Sequence, residues 1–164
     1  VKTFILQYGK KSNSFKSDFE LYFAEKDENF DIEKHVRDQI RKTIKTYSKH
    51  QFIDYGSTGK LARELDKILM QGQYYLSKKN LLDASTWSMV YIQEVMPIIT
   101  YADDSNGYLG DAIDSGITLL TDIAVQAPTV LKEKIAAYLN KELQQEIYFD
   151  YGNFGEDMTD DLSP

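Results

Sequence analysis

One stretch of the chain sets oxygen ligands around glycines, Asp103-Asp104-Ser105-Asn106-Gly107-Tyr108-Leu109-Gly110-Asp111. Carboxylates and amides spaced around a glycine are what a calcium loop is made of. The EF-hand register tests that chemistry. With Gly107 at the loop's sixth position, Asp104 and Asn106 fall at the third and fifth, but Ala102 then stands first and Ile113 last. Neither can ligate, and the closing bidentate Glu is missing. The stretch is read instead as a corner between two helices. Asp103 and Asp104 end one helix, and Ser105 or Asn106 caps the next. The glycines permit the turn, and Asp111 sits in a first turn where the macrodipole favours an anion.

No other set of side chains supplies a reaction. His35 and His50 belong to no H-E-x-x-H or E-x-x-H pattern, so both are read as surface or loop histidines. Gly56-Ser57-Thr58-Gly59 is not a nucleophile elbow and reads as a helix start. No phosphate-binding Walker loop occurs, and Gly107-Tyr108-Leu109-Gly110 follows no strand pattern. The absence of cysteine excludes disulfides and thiolate metal sites. No catalytic, cofactor-binding or metal residue is assigned, and no cofactor is expected.

Two surface features could bind a partner. Lys34, Arg37, Arg41, Lys45 and Lys49 advance by three or four and line one side of a helix, opposite the apolar stripe Ile32–Val36–Ile40–Ile44. That strip is read as solvated, or as a steering surface for an acidic partner or a nucleic-acid backbone. Aromatic residues make up 13% of the chain, with 12 Tyr, 8 Phe and one Trp. Tyr74, Tyr75, Tyr108, Tyr148 and Tyr151 fall near helix ends or turns, where a wet hydroxyl suits an interface anchor. The contact candidates are Tyr55, Trp87 and Tyr108, with Lys34, Arg37, Arg41 and Lys45 as the steering strip.

The elements that must position these residues are helical, because the 3.6-residue period dominates and no period-two alternation runs to useful length. Patterns are expected over about 2–8, 14–24, 31–48, 57–78, 80–101, 107–127 and 128–147. Asp31 is an N-cap candidate, and Asn80 with Asp83 a capping pair. Phe52-Ile53-Asp54-Tyr55-Gly56 breaks the period and is read as a packed loop. The 80–101 pattern carries a wide apolar face through Trp87, Tyr91, Val95 and Ile98, so it is expected to be central and buried on several sides. Pro97 is expected to kink or end it. Pro128 is placed at a first helical position.

Composition fits a single globular domain, with 42% hydrophobic and 27% charged residues over 164 positions. No apolar run reaches the ~18 residues of a membrane span, no signal peptide opens the chain, and a cytoplasmic location is expected. A formal net charge of −7 argues against broad binding to nucleic acid or anionic membrane by this chain alone. Residues 1–152 are read as one helical-repeat domain and 153–164 as an acidic, flexible tail. The missing initiator Met and the acidic end suggest a piece of a longer chain.

Short turns between long helices predict stacked antiparallel αα-hairpins. The helix patterns recur about fifty residues apart, near the unit length of HEAT-like pairs. The expectation is an all-α, HEAT/TPR-like right-handed superhelix of about six or seven helices. Phe52-Ile53-Asp54-Tyr55, the long helix that follows, and the Asp103–Asp111 corner together resemble the helical region C-terminal to the finger in bacterial SWIM zinc-finger proteins. The resemblance spans roughly 11–152. It carries no metal ligand here, because that finger is built from Cys-x-Cys and Cys-x-His pairs and this chain has no cysteine. What it implies is a superhelical scaffold that engages a protein partner. Two other readings stay open: a nucleic-acid accessory domain using Arg37 and Arg41, and a helical enzyme with carboxylates that cannot be paired by sequence.

Overall fold

Nine of the fifteen residues of one helix, Leu81–Val95, are buried, and they cover most of its circumference, leaving one line through Leu82, Thr86 and Gln93 less covered. A helix apolar on several sides must be surrounded, and the chain meets that demand with its other helices. The computed structural model describes residues 30–147. These form α1 (Ile32–Tyr47), α2 (Tyr55–Ser77), α3 (Leu81–Val95), a 3₁₀ segment (Met96–Tyr101), α4 (Tyr108–Gln126) and α5 (Thr129–Glu142). All of them belong to the unit that begins at Ile32. The described residues are thus all-α, with two isolated backbone bridges and no strand. The expected patterns at 2–8 and 14–24, the tail, Tyr148 and Tyr151 lie outside the described residues. No helix among the described residues is long and apolar enough to cross a membrane.

The packing follows a simple rule. Each helix packs on the next in sequence and on the next but one, and α5 makes the lightest contacts of the set. Leu61, Leu65, Ile68 and Leu69 supply the inner stripe of α2, and Leu109, Ile113, Ile117 and Leu120 that of α4.

Two glycines allow α3 to come close to both neighbours. A Cβ on Gly72 of α2 would lie 3.0 Å from Cδ1 of Trp87, so the indole rests on that bare backbone. From this seat Nε1 of Trp87 donates to the Ile68 carbonyl, one turn earlier, at 2.9 Å. On the other side, a Cβ on Gly116 of α4 would meet the Tyr91 ring at 2.8 Å, and the Ser88 hydroxyl donates to the Gly116 carbonyl at 2.8 Å. Buried polar atoms are costly without partners, and these two bonds satisfy an indole and a hydroxyl within the core.

Helix ends follow local chemistry, with some shifts from the sequence reading. Asn80 caps α3 as expected: its Oδ1 accepts from the Asp83 backbone N–H, and its amide donates to the Asp83 carboxylate at 2.6 Å. α3 stops at Val95, before the end of the expected 80–101 pattern, and the chain tightens into the 3₁₀ segment Met96–Tyr101. Pro97 explains this, since it lacks an N–H and its ring crowds the carbonyl four residues back. Tyr55 and Gly56 belong to α2 rather than to the preceding loop, because Asp54 is the N-cap residue and its carbonyl accepts from the N–H groups of Ser57 and Thr58. Pro128 stands one position earlier than expected, as the N-cap residue of α5. α5 itself ends at Glu142 rather than near Ile147, where the chain turns and the Gln145 amide folds back onto the Glu142 carboxylate at 2.6 Å.

The cap of α4 is the clearest correction. Neither Ser105 nor Asn106 caps it. Gly107, at φ +73°, turns the chain so that the Asp104 carboxylate accepts from the N–H groups of Leu109 and Gly110, each at 3.0 Å. Only glycine takes that backbone conformation without strain. Asp103 instead accepts from the Ser105 backbone and hydroxyl. The cap predicts an asymmetry: Asp104→Ala should cost about 1–2 kcal/mol in denaturant unfolding, while Ser105→Ala should stay within about 0.5 kcal/mol.

Candidate partner-binding surface

The candidate surface has two parts that share one clamp. The clamp is Ile53, which is fully buried. Its N–H donates to the Tyr101 carbonyl at 3.0 Å, and its own carbonyl accepts from the Asp103 N–H at 2.9 Å. This parallel bridge ties the loop before α2 to the loop before α4.

On one side of the clamp lies an aromatic corner. Tyr55 opens α2 and is 54% exposed, and its hydroxyl donates to Asn106 Oδ1 at 3.0 Å. Tyr108 opens α4 and is 46% exposed, with its ring lying over Gly59, one turn along α2 from Tyr55. Two rings distant in sequence are thereby brought together. Phe52 is exposed in the loop just before Tyr55.

On the other side lies an open groove of about 810 Å³. Arg41, Ile44 and Lys45 of α1, Ser48 and Gln51 of the following turn, and Gln93, Glu94, Pro97 and Tyr101 line it. A smaller cavity of about 200 Å³ adjoins it through Gln93, Glu94 and Pro97, and reaches Glu142 and Gln145. There the Gln93 amide donates to Glu142 Oε1 at 3.0 Å.

Glu94 governs the electrostatics. Its side chain is only 10% exposed and receives both Arg37 and Arg41. Arg41 approaches in fork geometry, with Nε at 2.7 Å and Nη2 at 3.0 Å. Arg37 also donates to Glu33, at 2.7 Å. That hydrogen bond, with the charge of Glu94 behind it, holds the Arg37 guanidinium above its ordinary pKa despite partial burial. Burial, and then the same Glu94 charge, push the Tyr101 phenol up.

The residues expected to bind therefore divide. Tyr55 and Tyr108 are both exposed, and each touches the start of the other's helix, Tyr55 at Asn106 and Tyr108 at Gly59. Trp87 is fully buried in the core and is not a contact residue, because its ring fills the seat on Gly72. Tyr75 is likewise buried and packs against Trp87, while Tyr74 is exposed. The strip Lys34–Arg37–Arg41–Lys45 is not a uniform solvated face, since Glu94 claims its two arginines; Lys34 and Lys45 remain on the surface. His35 is not a surface histidine either. It is half-buried, edge-on to Trp87 with centroids 6.1 Å apart, and Nε2 lies 2.9 Å from the Gln39 amide nitrogen. His50 is exposed in its turn.

Glu94, Phe52, Pro97 and Tyr101 were not singled out as site residues. Glu94 had a readable signal: it is the one charged residue between Asp83 and Asp103, and a lone carboxylate in an apolar helix needs a partner. Elsewhere, burial and then the nearby Asp111 raise the Asp66 carboxyl pKa. Among the described residues no group of three or more His, Cys, Asp or Glu could hold a metal ion. Compared with protein-family models, curated proteins and solved structures, the chain matches none.

Two outcomes follow from these charges. Glu94→Gln should lower stability by about 1–3 kcal/mol, and should increase retention on a heparin column, because two guanidinium groups lose their counter-charge. Asp66→Asn should stabilise the chain at neutral pH. A raised carboxyl pKa favours the folded state at acid pH, and that benefit is lost as pH rises through the folded-state value. Thermal melts of both proteins across pH 4–8 should diverge upward through that range, with the variant the more stable at the high end.

Proposed function

We propose that this chain is a non-enzymatic helical module that grips another protein, with the Tyr55–Tyr108 corner as its anchor. The carrying observation is that two half-exposed tyrosines, each opening a different helix, are each held against the start of the other's helix: the Tyr55 hydroxyl by Asn106 and the Tyr108 ring by Gly59, beside the Ile53 bridge. Large apolar rings exposed with one polar end are typical binding anchors. Rings already fixed in place lose little further freedom on binding.

The same reading takes the helices as stacked αα-hairpins wound into a right-handed, HEAT/TPR-like superhelix. The packing of each helix on the next and the next but one supports that arrangement. It also takes the chain as part of a larger SWIM-type protein, on the corner motifs quoted above. A nucleic-acid role for the basic strip is less favoured, because Arg37 and Arg41 are spent on Glu94 and few free cations give only weak phosphate binding.

The test is affinity capture from native lysate at low and moderate salt, comparing the wild type with a Tyr55→Ala/Tyr108→Ala double variant of unchanged helix content. Proteins held by the wild type at both salts and lost from the variant are the expected result. Identical captures, or none by the wild type, would overturn the reading.

A further inference from the structure

We propose that the groove between α1 and the 3₁₀ segment receives an extended segment of an acidic protein partner. One carboxylate of that segment would sit on Arg41 and Lys45, and a bulky apolar side chain beside it would lie on Ile44, Pro97 and Tyr101. This names the partner's chemistry and rests on the interaction-module reading above.

Charge complementarity carries the assignment. Lys45 has no ion pair or side-chain hydrogen bond among the described residues. Arg41 is 61% exposed, and it gives Nε and Nη2 to Glu94 while Nη1 has no partner among the described residues. Ser48 and Gln51, residues with hydrogen-bond donors, line the same groove. The one carboxylate lining the groove is Glu94, and Arg37 shares its charge. The groove is therefore locally positive on a chain whose formal net charge is −7. A carboxylate is what such a rim recognises, and an arginine edge is well shaped for one.

The floor and the rim fix the rest. Ile44, Pro97 and Tyr101 offer apolar surface next to the cations, so a purely charged ligand would leave that surface wet. Small-molecule sites enclose most of their ligand, whereas this groove is open along its length and suits a chain laid across it. In an extended peptide, residues two apart face the same way, which places a carboxylate and a ring on one side. The turn that holds Gln51 on the rim is itself unusual. His50 and Gln51 both have positive φ, 51° and 62°, in a two-residue reversal closed by Lys49 and Phe52. Such turns favour Asn-Gly. Non-glycine residues kept there carry strain of the sort that collects at binding sites.

The experiment titrates the whole chain into fluorescein-labelled peptides of about ten residues. Their Gly/Ser frame carries Glu-Ser-Phe, Gln-Ser-Phe, Glu-Ser-Ser or Lys-Ser-Phe at the centre, and polarisation is the readout. The Glu-Ser-Phe peptide should bind best, and each single change should weaken it about tenfold. Lys45→Glu, which disturbs no internal pair, should weaken Glu-Ser-Phe by about tenfold and favour Lys-Ser-Phe. Equal binding of all four peptides, indifference to Lys45→Glu, or stronger Lys45-dependent binding of a single-stranded oligonucleotide would each overturn the assignment. If the peptides fail while the tyrosine-dependent capture persists, the groove assignment alone falls; if both fail, the module reading falls with it.

Discussion

The indole of Trp87 lies where a side chain on α2 would otherwise stand, and the rest of the helical unit is arranged around that fact. Gly72 leaves room for the ring, and the Ile68 carbonyl one turn away accepts its N–H. Tyr75 and His35 close over the indole from α2 and α1. Because the close approach depends on a missing Cβ, α3 and α2 have little freedom to slide past one another. The Gly116 contact with Tyr91 and Ser88 imposes the same restriction between α3 and α4. Close packing at two glycines thus sets the spacing of three helices, and the remaining apolar side chains fill what is left.

A central helix that is buried around most of its circumference leaves little room for charge, which gives Glu94 its influence. It stands one residue before the end of α3, and it draws Arg37 and Arg41 across from α1. Ion pairs of this kind add modestly to stability, since the gain offsets the loss of water. Their larger effect is on the surface. They remove two cations from a strip that would otherwise attract any polyanion, and they leave Lys45 and one edge of Arg41 at the mouth of the groove. The specificity proposed for that groove comes from this partial neutralisation.

The clamp at Ile53 joins the electrostatic groove to the aromatic corner. Tyr101 lines the groove, and its carbonyl receives the Ile53 N–H; Asp103 returns the bond from the other side. Asp104 then caps α4, and Asn106 holds the Tyr55 hydroxyl. A stretch whose oxygen atoms resemble a calcium loop therefore spends several of them on backbone and side-chain donors of its own fold. That use explains the acidic residues of the corner without any ligand.

The sequence by itself determined the helices and much of where they begin and end. The 3.6-residue period located five of them, Asn80 and Pro97 marked the two ends of α3, and the breadth of its apolar face announced a central helix. Those signals are local, because capping, proline geometry and periodicity act within one or two turns. The candidate site was legible only in part. Tyr55 and Tyr108 could be named, but not that each would be held against the other's helix, since 53 residues separate them and the holding contacts are Asn106 for Tyr55 and Gly59 for Tyr108. Trp87 looked like a contact residue because an aromatic ring serves equally well in a core or at an interface. The basic strip looked continuous because a helix pattern shows which residues share a face, but not which carboxylate a neighbouring helix will bring to it. Only the tertiary structure decided these points, because burial and ion pairing are properties of the partner surface, and that surface comes from distant parts of the chain.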